Sequence, residues 1–254
     1  MLKVAYTFSL KKRRRKPMHE FAAARDIIET MVRNWDLQGL LRQTEQLHGH
    51  LCPFVSLGVK AGQYAMMALN RKNTGMEEIV ALVECNNCFT DGIQMATGCT
   101  FGNNALIFKD LGKTAVTVAR REDGQAVRLV VRPDYRAAML ARYPNSGPLF
   151  HKIVVERRGT PEEIHRFHHI WQAISYRELE TPLAEQFHIT LLTLEMPPYA
   201  RIFESQICSV CGEEVMEPRL RRRQGQPVCL SCAGEDYFIL TGQGITIARD
   251  GGQA

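Results

Sequence analysis

The sequence predicts an α+β protein, a mixed helix and sheet core followed by a small four-cysteine finger of the zinc-ribbon or treble-clef kind. Three observations carry that expectation. Apolar residues recur at helical spacing through residues 18–69. A buried-strand run, IVALV, is followed by alternating valines on either side of Asp123–Gly124, a favoured hairpin turn pair. Near the C-terminus Cys208-x-x-Cys211 and Cys229-x-x-Cys232 stand 17 residues apart. The 254 residues, 45% of them hydrophobic, suit one sizeable domain plus a small module and exclude wholesale disorder.

Taken in order, residues 1–17 read as a disordered basic arm. Phe21, Ile27, Ile28, Met31 and Val32, then Leu37, Leu40 and Leu41, predict two helices broken near 34–36. Pro53 suits the first position of a helix reaching about Leu69. Gly58, Ala61, Gly62 and Ala65 on that helix permit close backbone approach, within the core or across a dimer. IVALVEC (79–85) predicts a strand, and 85–98 a loop turning into a short helix. Residues 114–132 predict a hairpin, which closes a core spanning 18–135. Residues 136–204 read as an extension packing on that core. Thr160, Pro161 and Glu163 there provide an N-cap, a first-turn proline and a capping-box glutamate for a helix over 161–176, and 189–196 reads as a strand. The finger occupies 205–240 and a tail 241–254.

The formal charge is +5, much of it in KKRRRK (11–16) and RLRRR (219–223). Such runs either meet nucleic-acid phosphates or an acidic protein patch, or stay as solvated surface. No apolar run is long enough for a membrane helix, and the first twenty residues lack the apolar stretch of a signal peptide. The expected setting is therefore the cytoplasm, where paired Cys-x-x-Cys spacing points to metal rather than to disulfides.

Cys208, Cys211, Cys229 and Cys232 can close a tetrahedral zinc site. The module is too small to bury its own core, so metal would supply much of its folding energy. Without further ferredoxin-type spacing, zinc is preferred over an iron–sulfur centre. With all four positions filled the site is structural, and the intervening Arg219 and Arg221–Arg223 make its surface basic.

The second chemical cluster begins at HGHLCP (48–53). Cys52 falls at the N-cap of the helix opened by Pro53, where free N–H groups and the helix dipole favour a thiolate. If 48–52 is extended, His48, His50 and Cys52 point the same way, a soft set that suits zinc and related metals. Alternatively His50 activates Cys52 as a metal-free nucleophile, or the histidines are ordinary core and surface residues. ECNNCFTDGIQ (84–94) adds Cys88, Asp91 and Gln94 on one helical stripe. Cys99 lies within GCTFGNN, where a small buried hydrophobe is the competing reading, and Lys113 in LGKTA offers a positive charge. His165 and His169 of HRFHH stand at i, i+4, half of a metal site, but the motif lacks a zincin's glutamate and reads as a solvated helix face.

HGHLCPFVSLGVKAG, VECNNCFTDGIQMATGCTFGNN and DLGKTAVTV together resemble the FmdE family, called after a component of formylmethanofuran dehydrogenase, over roughly 45–135. The four-cysteine module resembles the finger that some members carry after the core. The resemblance implies an intertwined homodimer and a cleft formed by the His-x-Cys and Cys-x-x-Asp motifs. It implies His50, Cys52, Cys88 and Asp91 as the site, with His48, Gln94, Cys99 and Lys113 as further members, and Cys52, Cys88, Asp91 and Lys113 as the catalytic set if the protein is an enzyme. Phe54 departs from the glycine expected after Cys-Pro, and 133–207 has no match in the family pattern.

The namesake complex relies on a molybdenum or tungsten pterin and iron–sulfur electron transfer, and this chain lacks ferredoxin-type cysteine spacing. The resemblance thus implies an accessory metal-binding protein, with zinc in the finger and a second metal ion in the core. A thiolate- or metal-dependent enzyme and a zinc-finger regulator are the alternatives.

Overall fold

IVALV is buried along its whole length, which places it inside a sheet rather than at an edge. The structure, a computed structural model, describes residues 25–250. The basic arm expected at 1–17, the start of the first predicted helix and the last residues of the tail lie outside them.

The chain begins with α1 (Asp26–Arg33), α2 (Leu37–His48) and α3 (Pro53–Leu69), then β1 (Ile79–Val83), α4 (Cys88–Thr97) and β2 (Leu106–Phe108). The predicted hairpin follows as β3 (Ala115–Arg120) and β4 (Gln125–Val131). After it come α5 (Tyr135–Arg142), α6 (Ser146–Phe150) with a π-helical turn, α7 (Pro161–Glu180), α8 (Leu183–Gln186) and β5 (Phe187–Thr193). The five strands form one sheet in the order β2-β1-β3-β4-β5. Only the β1–β2 pair is parallel. The extension thus supplies an edge strand, with Val131 opposite Phe187 and Gln125 opposite Thr193.

Helix α3 is the hub. It is apolar nearly all round and buried against β3, β4, α2, α4 and α7. A capping box at Thr160 and Glu163 starts α7, as the sequence predicts, and the helix runs on to Glu180 because Trp171, Ile174 and Leu179 continue its buried stripe. Near its end the wholly buried Glu178 accepts hydrogen bonds from the Tyr135 hydroxyl (2.9 Å), Arg142 Nη2 (3.0 Å) and Gln186 Nε2 (3.0 Å). Lys60 Nζ of α3 donates to the Glu178 main-chain carbonyl at 3.1 Å, and burial lowers its pKa to about 8. One polar network therefore ties α3, α5, α7 and α8 together, with the Gln186 Oε1 as its one buried atom left without a partner among the described residues.

Helices α3 and α4 run parallel, since Gly58 meets Phe89 and Gly92, and Gly62 meets Ile93 and Ala96. Their backbones touch. A Cβ on Gly58 would strike the Phe89 carbonyl oxygen, and one on Gly92 would lie 2.5 Å from the Val59 nitrogen. The small-residue stripe read from the sequence thus serves an intrachain contact that brings both helix N-termini to the same end of the core.

Beyond the sheet lie β6 (Ser205–Ile207), β7 (Glu214–Met216), β8 (Leu220–Arg223) and β9 (Gln226–Cys229), paired as two short hairpins. A third hairpin, β10 (Tyr237–Thr241) with β11 (Gly244–Ala248), is joined to the core by Asn86 Nδ2 on Thr241 O (2.8 Å) and Ile245 N on Asp110 Oδ2 (2.7 Å). Among the described residues no helix is long and apolar enough to cross a membrane.

Overpacking of this kind costs ~1–3 kcal/mol. We therefore expect Gly92→Ala to lower the urea midpoint correspondingly with an unchanged m-value, and an unaltered midpoint would show that the two helices can part freely.

Candidate metal centres

Cys52 is the N-cap of α3 and Cys88 the first residue of α4, whose own N-cap, Asn87, accepts from Phe89 N at 3.0 Å. The parallel packing therefore sets two thiols at two adjacent positive helix ends. His48 and His50 complete the group. The ligand atoms of His48, His50, Cys52 and Cys88 all lie within 4.8 Å of one another. The edges of a zinc tetrahedron with two nitrogens and two sulfurs are about 3.3–3.8 Å, so a small contraction closes the set.

The histidines do not converge as the sequence reading expects. His48 is the last residue of α2, not part of an extended segment. Gly49, with φ of 86°, then reverses the chain in the left-handed conformation that a residue without Cβ adopts at no steric cost. The two rings end 4.4 Å apart between centroids because of that helix stop.

Asp91 is outside the ligand group and takes a different position. Its Oδ2 lies 2.6 Å from His48 Nδ1, and its Oδ1 accepts from Gln94 Nε2 at 2.8 Å. A carboxylate only accepts, so Nδ1 carries a proton, and in the neutral ring this leaves Nε2 as the atom able to bind a metal. That Nε2 is buried and has no hydrogen-bond partner. A carboxylate holding one ring nitrogen while the other is free is the arrangement found behind metal-bound imidazoles. Two imidazoles and two thiols suit zinc and other borderline or soft ions, so the residues present fit a metal.

The two sulfurs are electrostatically unequal. A hydrogen bond from Cys52, with support from His50 and His48, holds the Cys88 thiol well below its ordinary range despite burial. The same bond to Cys88, reinforced by burial, raises Cys52 far above it. The hydrogen bond between the two sulfurs thus holds the Cys88 thiol low and the N-cap thiol of Cys52 high. His50 is raised by its bond to Cys88, against the effect of burial.

Two expected members lie elsewhere. Cys99 follows the far end of α4, roughly 15 Å along the helix from Cys88. It is wholly buried, its Sγ donates to Ile79 O at 3.3 Å, and burial pushes its pKa up to about 12. Lys113 is exposed on the loop before β3, where its main-chain N–H donates to Glu84 O, just after β1, at 3.0 Å. Cys85 is buried beside Asn87 and is raised by desolvation.

In the finger Cys208, Cys211, Cys229 and Cys232 also lie within 4.8 Å of one another. Backbone N–H groups point at the sulfurs, Cys229 N on Cys208 Sγ at 3.3 Å and Cys232 N on Cys229 Sγ at 3.4 Å. This is a zinc-binding region, with Val215 and Val228 as its small apolar centre. Its arginines are partly engaged within it. Arg222 Nη2 donates to Gln206 Oε1 at 2.9 Å, Arg223 to Ala233 O, and Arg221 faces Glu235.

Residues 47–188 match the family described as FmdE, molybdenum formylmethanofuran dehydrogenase operon, and 201–238 match the prokaryotic dksA/traR C4-type zinc finger. The chain belongs to the FmdE family, with the finger appended to its core. It is 40% identical over 213 residues to a probable S-adenosyl-L-methionine-binding protein of Archaeoglobus fulgidus. That match takes in 82% of this chain and 56% of the relative, so the chain spans little more than half the relative's length. The crystal structure of a tungsten formylmethanofuran dehydrogenase FmdE-like protein from Syntrophus aciditrophicus superposes with a TM-score of 0.50 at 20% identity, over 78% of this chain and 92% of that one. At that identity the likeness concerns the fold.

Two outcomes are expected. In metal-stripped protein one core thiol alkylates with a pH midpoint well below the ~8.5 of free cysteine, and Cys88→Ser abolishes the reaction. Chelation collapses amide protection across 205–233 while the sheet stays protected, as hydrogen exchange would record.

Proposed function

We propose that this protein is an accessory metal-binding member of the FmdE family. A core ion is held by His48, His50, Cys52 and Cys88, and a structural zinc is held by the finger. The observation that carries the reading is the buried, unpartnered His48 Nε2 aimed among two sulfurs and a second imidazole, with its other nitrogen fixed by Asp91. A bound ion supplies Lewis acidity, or a site from which it can be handed on. The chain's own residues fix the ligand directions and bury Cys52, with Cys88 partly exposed.

The setting we favour is molybdenum- or tungsten-linked one-carbon metabolism, as a companion of formylmethanofuran dehydrogenase, with the protein acting as a cytoplasmic homodimer. The family's description and the name of the Syntrophus protein support this. The finger would present the acidic-partner or nucleic-acid surface.

A second reading rests on the depressed Cys88 thiol beside His50. Such a pair also suits a thiolate nucleophile acting on a small substrate.

Metal analysis of the untagged full chain separates the two. The accessory reading expects two ions per chain. Cys208→Ser should leave one, and the double variant Cys52→Ser/Cys88→Ser should leave the finger ion alone. A single ion per chain, lost on mutating Cys208, would remove the core metal and favour the nucleophile.

A further inference from the structure

One face of α7 turns its histidines toward the core site. His165, His168 and His169 are exposed, as a solvated helix face requires, yet they do not merely face water. Together with Glu45, Gln172 and His50 they line a surface pocket of about 150 Å³. His50 belongs at once to this pocket and to the inner His/Cys group.

Within the pocket the Nε2 atoms of His165 and His169 lie 3.1 Å apart, with ring centroids at 4.4 Å. Two imidazoles bound to one ion at ~2.0–2.1 Å sit about 2.9–3.4 Å apart, depending on coordination angle. Without an ion the two nitrogens share a hydrogen bond, and moving its proton to the outer ring nitrogen leaves a pair with the spacing of a chelate. It stands one helical turn apart on a long helix held by its capping box and by the buried Phe167 and Trp171, so the two rings share a rigid base. Neutral imidazole prefers borderline divalent ions such as zinc, nickel or copper.

We propose that His165 and His169 form an outer binding site for a borderline divalent transition-metal ion, placed so that the ion passes to the inner Cys/His group through His50. The outer site stands on its own geometry, and its role as the point of ingress rests on the core-metal reading given above. The ion keeps its charge throughout. At His50 one imidazole replaces another, and any proton still held by Cys52 or Cys88 leaves to solvent as that sulfur binds as a thiolate. Harder ligands outside and softer ones inside make the passage run inward.

The test uses the untagged full chain. As isolated, with its thiolate sites loaded with zinc, it should bind one equivalent of added Ni²⁺ in a calorimetric titration. His165→Ala/His169→Ala should weaken that binding at least tenfold with zinc content unchanged. Both residues are exposed, so the fold should tolerate the change. Equal nickel affinity in the double variant overturns the outer site. For the transfer role, a Cys208→Ser/Cys211→Ser background silences the finger. Metal-stripped protein is then mixed with Co²⁺ and the sulfur-to-cobalt absorption of the core followed. Removing the histidine pair should slow its appearance several-fold with the final amplitude preserved, and an unchanged rate overturns the role. If no such absorption appears in either protein, the core-metal reading and the ingress role fail together, while the nickel titration still decides the outer site.

Discussion

The site depends on a contact that involves no site residue. Helices α3 and α4 lie side by side with their backbones touching because Gly58 and Gly92 leave nothing between them. Parallel helices at this separation place like ends together, each N-terminus carrying roughly half a positive charge. That costs energy unless something negative sits across both ends. Cys52 and Cys88 stand there, and thiolate character on the low Cys88 offsets the repulsion of the two dipoles. Packing, helix electrostatics and thiol chemistry are consequences of the same close approach.

The second constraint is orientation. Gly49 stops α2 so that His48 is delivered from a helix end and His50 from the turn after it. Asp91 and Gln94, one turn apart on α4, then lock the His48 ring. Two segments distant in sequence, 48–52 and 88–94, are therefore registered before any ion arrives, which reduces the ordering that binding would otherwise require.

Much of this was legible in the sequence, and the gaps have identifiable causes. Pro53, the capping box at Thr160 and the Asp123–Gly124 turn are local signals, and the helices and hairpin they predict are present. The two cysteine pairs of the finger are read from spacing alone and converge as expected. The direction of His48 was not legible in that way. Periodicity places it on a helix or an extended strand equally well, and only the left-handed Gly49 decides. Asp91 was recognisable as a site residue but not as the partner of an imidazole, since a carboxylate one turn from a cysteine looks like a ligand. The inversion of the two thiols was also beyond reach, because it arises from their mutual hydrogen bond and not from either helix position. The facing of α7 against His50 is a tertiary fact with no local signal, so HRFHH read as surface.

Phe54, where the family pattern leads one to expect glycine, sits directly after the Cys-Pro of the site. Its ring meets Tyr135 edge-on at 6.2 Å between centroids, and Arg136 lies over its face. Tyr135 in turn holds the buried carboxylate of Glu178. The residue that departs from the pattern is thus wedged against α5, and the expectation that 133–207 lies outside the family is corrected for most of its length, since the family match runs on to residue 188. A shortened chain ending near 135 would strip the sheet of its edge strand and leave an aromatic ring and a lysine without their wall, so the smallest unit able to keep the cysteine helix in place reaches at least to β5.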